Sequence, residues 1–91
     1  MALRFITYSD AINYKYIRIH TVNNENAIRL LNWCRDKELY LYWFNDDYVG
    51  VRNIDTIISG ISKGKYLTDY ITIYYLDELH PDVVELKLTW L

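Results

Sequence analysis

Apolar and polar positions alternate with a period of two along four stretches of this chain, and tyrosine falls on one parity of each almost every time. In Tyr14–Thr21, Tyr14, Tyr16, Arg18 and His20 share one parity, and Ile17 and Ile19 the other. In Glu38–Asn45, Tyr40, Tyr42 and Phe44 oppose Leu39, Leu41 and Trp43. Tyr48 opposes Val49 and Val51 in Tyr48–Arg52. In Tyr70–Leu76, Tyr70 and Tyr74 oppose Ile71 and Ile73, with Tyr75 on the aliphatic side. Successive strand side chains point to opposite faces of a sheet. The pattern therefore predicts one aliphatic face and one phenol-bearing face.

Helical spacing appears twice. Ala27, Leu30, Leu31 and Cys34 fall at i, i+3, i+4 and i+7, flanked by Ile28 and Trp33. They predict one buried stripe on a helix capped by Asn23 or Asn24 and running to about Lys37. Ile54, Ile57, Ile58 and Ile61 repeat the spacing after a cap at Asn53, with Gly64 as the C-terminal cap. Gly60 either weakens this second helix by roughly 1 kcal/mol relative to alanine or lets it approach the sheet closely. Strands are predicted at Leu3–Tyr8 and, on the alternation of Val84, Leu86, Leu88 and Trp90, at Val83–Leu91. Ser9-Asp10, Asn45-Asp46-Asp47 and Asp77–Asp82 read as turns or loops.

The predicted order is β-β-α-β-β-α-β-β in a single α+β domain spanning the whole chain. Without its outer strands it resembles the βαββαβ arrangement of ferredoxin-like domains, at the level of topology only. That resemblance implies a two-layer sandwich, mostly antiparallel, with two helices on one sheet face. The helices then cover the aliphatic side. Tyr14, Tyr16, Arg18, Tyr40, Tyr42, Phe44, Tyr48, Tyr70 and Tyr74 are left on the other side as candidate partner-binding residues. Each large ring can bury roughly 150–250 Å², and a monomer's largest apolar patch is about 300–600 Å². A cover is therefore expected, either the terminal strands or a partner.

Composition changes this picture in three ways. Ninety-one residues, 52% hydrophobic and 24% charged, make an ordinary globular domain with one modest core. The longest apolar run, Leu39–Phe44, is far too short to span a membrane. Met1-Ala-Leu-Arg4 leads straight into a strand pattern with no signal region, and the single cysteine permits no internal disulfide, so a cytosolic setting is expected. Residues with AT-rich codons (Phe, Tyr, Met, Ile, Asn, Lys) number 36, against 12 with GC-rich codons (Gly, Ala, Arg, Pro). By association, that usage points to an AT-rich genome and to a phage or mobile-element accessory protein.

Charge narrows the partner. The net charge is −2, with a mildly basic first half and an acidic second half. Duplex-DNA binders usually show a clear basic excess. Single-stranded nucleic acid stays open, because bases stack on tyrosine and Arg18, Arg52 and Lys15 are near. Tyr48-Val-Gly-Val-Arg52 does not, however, match the third-strand motif of RNA-recognition domains.

Candidate chemistry is sparse. His20 ends a strand with no sequence-positioned carboxylate or nucleophile. His80 stands among Asp77, Glu78 and Asp82, with irregular spacing for a metal. Cys34 belongs to a helix stripe, and Asp46-Asp47 reads as turn chemistry. No phosphate loop, nucleophile elbow or paired metal motif is present. No catalytic residue, metal or cofactor is assigned. The sequence leads to the expectation of a non-enzymatic binding protein that docks its aromatic face on a host protein and inhibits or modulates it, as an anti-defence inhibitor would. Self-association through the same face, a single-stranded nucleic-acid-binding domain, and a small enzyme or ligand-binding domain are the alternatives.

Overall fold

The computed structural model describes residues 3–43, 53–66 and 69–91. The elements are β1 (Arg4–Phe5), α1 (Tyr8–Ala11), β2 (Lys15–His20), α2 (Asn24–Cys34), β3 (Tyr40–Leu41), α3 (Ile54–Ser62), β4 (Tyr70–Tyr75) and α4 (Pro81–Trp90). They form an α+β fold around a four-stranded mixed sheet of order β1-β3-β4-β2. The predicted strand at 48–52, the loop at 45–47 and the residues Phe44 and Tyr48 lie outside the described residues.

The two predicted helices, α2 and α3, start where the sequence places their caps. Asn23 Oδ1 accepts from the Asn26 N–H at 2.9 Å, and Asn53 Oδ1 from the Asp55 N–H at 2.8 Å. Each satisfies one of the N–H groups a helix start leaves open. Gly64 follows α3 with φ +74°, the left-handed conformation that glycine adopts without penalty. The whole α2 stripe, Ala27, Leu30, Leu31 and Cys34, is fully buried. It meets Ile57 and Ile61 of α3 and the sheet residues Ile17, Ile19, Leu41, Ile71 and Ile73 in one core. Asn24 Nδ2 donates to the Ile61 carbonyl at 3.2 Å, tying the start of α2 to the end of α3. Gly60 is needed for packing: the Tyr66 ring occupies the space a Cβ would fill.

Three expectations are corrected. The segment predicted as a strand at Val83–Leu91 is helix, lying in α4 up to Trp90 with Leu91 as its C-cap. Val83 and Leu86 are buried and Trp90 packs on the same core, while Val84, Leu88 and Leu91 are exposed. Those apolar positions fit a helical period as well as the alternation that suggested a strand. The helix-start signals at its head decide the matter. Pro81 occupies the first turn, Asp82 adds an acidic residue, and His80 Nδ1 accepts from the Asp82 N–H at 3.0 Å. The predicted strand Leu3–Tyr8 shortens to Arg4–Phe5, because Thr7 Oγ1 accepts from the Asp10 N–H at 3.2 Å and opens α1.

The third correction concerns strand order. β4 pairs antiparallel with β2 on one side and with β3 on the other. β2, α2 and β3 thus form a βαβ unit whose two strands are held apart by one strand, as in split units. The strand filling the gap is β4, which in a ferredoxin-like order would lie outermost. β1 adds in parallel to β3. Among the described residues, no helix is long and apolar enough to cross a membrane.

Candidate functional site

The register draws two contrasting rows across the sheet. Phe5, Leu41, Ile73 and Ile17 stand abreast facing the helices, and Arg4, Tyr40, Tyr74 and Tyr16 stand abreast on the opposite face. Tyr14 continues that face past one end of the row, and Tyr42, Arg18, Tyr70 and His20 continue it toward the other. All seven described residues of the predicted set share the face: Tyr14, Tyr16, Arg18, Tyr40, Tyr42, Tyr70 and Tyr74. Tyr75 points to the helical layer and is buried, as its parity requires.

The rings contact one another across strands. Tyr14 and Tyr40 meet edge to face with centroids 4.9 Å apart, and Tyr16 lies tilted against Tyr74 at 5.9 Å. Such pairs add to sheet stability beyond their burial. At the far end, His20 stacks on Tyr70 at 4.7 Å, and the Arg18 guanidinium lies 4.3 Å from the centroid of the same ring. Even so, Tyr16 remains 63% exposed and Tyr70 47% exposed.

One ring came from outside the strand pattern. Tyr8 lies on α1, and its ring meets Tyr42 edge to face at 5.9 Å. It closes one side of a cup of about 260 Å³ formed by Tyr8, Tyr14, Tyr16, Tyr42 and Tyr74 with Ala11 and Ile12. Reading Leu3–Tyr8 as continuous strand hid this residue. Thr7, three residues before Asp10, was the signal that could have found it. In the cup, burial and then the phenols of Tyr16, Tyr42 and Tyr8 push the Tyr74 phenol above its usual pKa. The hydroxyl therefore stays protonated and able to donate.

The other candidate groups have structural roles. Cys34 is fully buried, and burial pushes its thiol from 9.0 up to about 12, which removes the thiolate a nucleophile needs. His80 caps α4 through Nδ1, and its Nε2 lies 3.2 Å from Glu38 Oε2. Asp82 Oδ2 accepts the Glu38 backbone N–H at 2.7 Å and ties the start of α4 to the strand-side chain. Among the described residues, no group of three or more His, Cys, Asp or Glu side chains could hold a metal ion. Comparison with known proteins finds no matching family model, no matching curated protein and no matching solved structure.

Proposed function

We propose that this chain acts by binding rather than by catalysis, docking its tyrosine face on another protein. One observation carries the reading: a sheet sealed by helices on one face leaves a concave field of tyrosine rings on the other. Tyrosine supplies large contact area at low entropic cost and is enriched at interface cores. Small size and AT-rich residue usage add the further proposal that this is a cytosolic accessory protein of a phage or mobile element. There it would block or modulate a host protein, as an inhibitor of a defence system does. The same face can also join two copies of the chain.

A second reading, single-stranded nucleic acid, is favoured by one feature: Arg18 and His20 both lie against Tyr70. It ranks behind because the other face rings stand edge to face or tilted against each other, which takes up ring faces that bases would stack on.

The test compares the wild-type chain with Tyr16→Ser as bait in a lysate of a low-GC bacterial host. The expected result is a protein retained by the wild type and lost by the variant, with the two giving the same circular dichroism and both folded at the assay temperature. A chain that retains no protein, but binds oligothymidylate with steep salt dependence, sinks the protein-docking reading. Light scattering over a tenfold concentration range reports self-association.

A further inference from the structure

The sheet ends in two unequal edges. β1, at one edge, is two residues long, and β2, at the other, is six. The phase of the hydrogen bonds tells which groups β2 leaves open. The Thr21 N–H donates at 2.8 Å to the carbonyl of Asp69, the residue opposite it when the register is continued past His20 and Tyr70. Bonded and unbonded pairs alternate along an antiparallel ladder. Ile19, Ile17 and Lys15 therefore also turn their N–H and C=O groups toward β4. Those of Tyr16, Arg18 and His20 point outward, and among the described residues nothing pairs with them. Such a row is a template for another strand. Neither of two common guards, a proline or a bulge, interrupts it. Lys15, the cation on the helical side of β2, stands at the strand's end and is drawn to Glu78 of its own chain at 3.7 Å.

Side chains decide which strand fits. Residues opposite each other in an antiparallel ladder lie on one face and touch. Two copies of β2 about a two-fold axis have two registers that set outward groups against outward groups and keep most of the strand paired. One pairs residues 16–20 of each copy about Arg18, and it sets the two Arg18 charges directly opposite each other, which is destabilising. The other pairs residues 15–19 about Ile17. It sets Ile17 against Ile17 and places Tyr16 opposite Arg18 twice. The Arg18 guanidinium already lies 4.3 Å from the centroid of the Tyr70 ring of its own chain. In this register it gains the exposed Tyr16 ring of the other copy as a second aromatic neighbour.

We propose that the partner of the β2 edge is a second copy of this chain, with the two β2 strands antiparallel about Ile17 and the two sheets joined into one. Tyr16 exchanges N–H···O=C bonds with Arg18 of the other copy, and the two-fold axis repeats the exchange, as in an isologous dimer. The two tyrosine faces then lie side by side on one surface and the helical layers on the other. The pairing stands or falls independently of what the tyrosine faces dock.

The test begins with light scattering on the full chain, over a hundredfold concentration range ending near about 1 mM. A monomer passing to a dimer is expected. Arg18→Pro removes an outward N–H that the chain's own ladder does not use. It is expected to raise the dimer Kd by about tenfold or more with unchanged circular dichroism. Register is read by disulfide formation. Opposite bonded residues have Cα atoms about 5.5 Å apart, within disulfide reach. A mixture of Tyr16→Cys and Arg18→Cys chains is therefore expected to cross-link under mild oxidation, and Arg18→Cys alone is not. Cys34 is fully buried and stays out of the reaction. If Arg18→Pro fails to fold, the cross-link alone decides. A chain that is monomeric throughout overturns the proposal. So does Arg18→Cys linking to itself faster than the mixture links, which puts the axis on Arg18. A dimer that Tyr8→Ser dissolves and Arg18→Pro does not joins the faces instead of the edges, and also overturns it.

Discussion

The two faces of the sheet differ in how completely the chain covers them. On the helical side, Ile19, Leu41, Ile71 and Ile73 retain almost no exposure under the stripes of α2, α3 and α4. On the other side, among the described residues, only the four-residue α1 stands over the rings, and Tyr8 and Tyr16 are each more than 60% exposed. The same strands serve both faces, so backbone pairing cannot explain the contrast. It follows from residue type: isoleucine and leucine have nothing to offer water, whereas a half-covered tyrosine keeps a solvated hydroxyl. One face is therefore specified by burial. The other is free to be specified by what it meets.

The sharpest test of that contrast is a pair of neighbours on opposite sides. Ile73→Ala removes fully buried methyl groups and is expected to cost about 2–5 kcal/mol in urea unfolding. Tyr16→Ser, exposed on the opposite face, is expected to cost only about 0.5–1.5 kcal/mol, the worth of its ring pair with Tyr74. Similar losses from both would mean that the tyrosines are core and the two faces equivalent. A smaller effect probes the helical layer alone. His80→Ala removes the acceptor that caps α4 and is expected to cost about 0.5–2 kcal/mol. His80→Asn restores most of it, since asparagine caps equally well. Were α4 not part of the helical layer, neither change would register.

The smallest expected effect is a pH response. Cys34 is held protonated in the fold, with its pKa raised to about 12, whereas the unfolded thiol ionises near 9.0. Between those values the unfolded chain binds fewer protons than the folded one, so stability falls as pH rises. It is complete below the unfolded pKa. From pH 8 to 9.5 the loss should be under about 1 kcal/mol, and iodoacetamide should label Cys34 only as the protein unfolds. Tyr74, whose phenol pKa is also raised, adds a loss of the same sign at higher pH. Rapid labelling of the native protein at neutral pH would show that the helical side is not sealed.

Much of this was legible in residue spacing. The caps at Asn23 and Asn53, the four-residue stripe of α2 and the parity of the tyrosines each obey a short-range rule, and such rules survive folding. The strand order was not legible, because nothing local tells β4 to insert between β2 and β3 rather than beside them. α4 was misread because Val83–Leu91 satisfies two periods at once, and the deciding signal lay outside it, in His80-Pro81-Asp82. The cup was half legible. Four of its rings follow from strand parity, whereas Tyr8 depends on a turn that Thr7 and Asp10 impose.

The central position of β4 also sets a timetable. β2 is complete by residue 20, yet the only described strand that pairs with it begins at residue 70. During synthesis α2 and α3 can coil locally, but the ladder joining β2 to β3 must wait until most of the chain has emerged. Tyr16, Tyr40 and Tyr74 come from three distant segments and become neighbours only when that late strand arrives. The tyrosine face is thus made late, and a ribosome-bound or shortened chain ending before β4 lacks it.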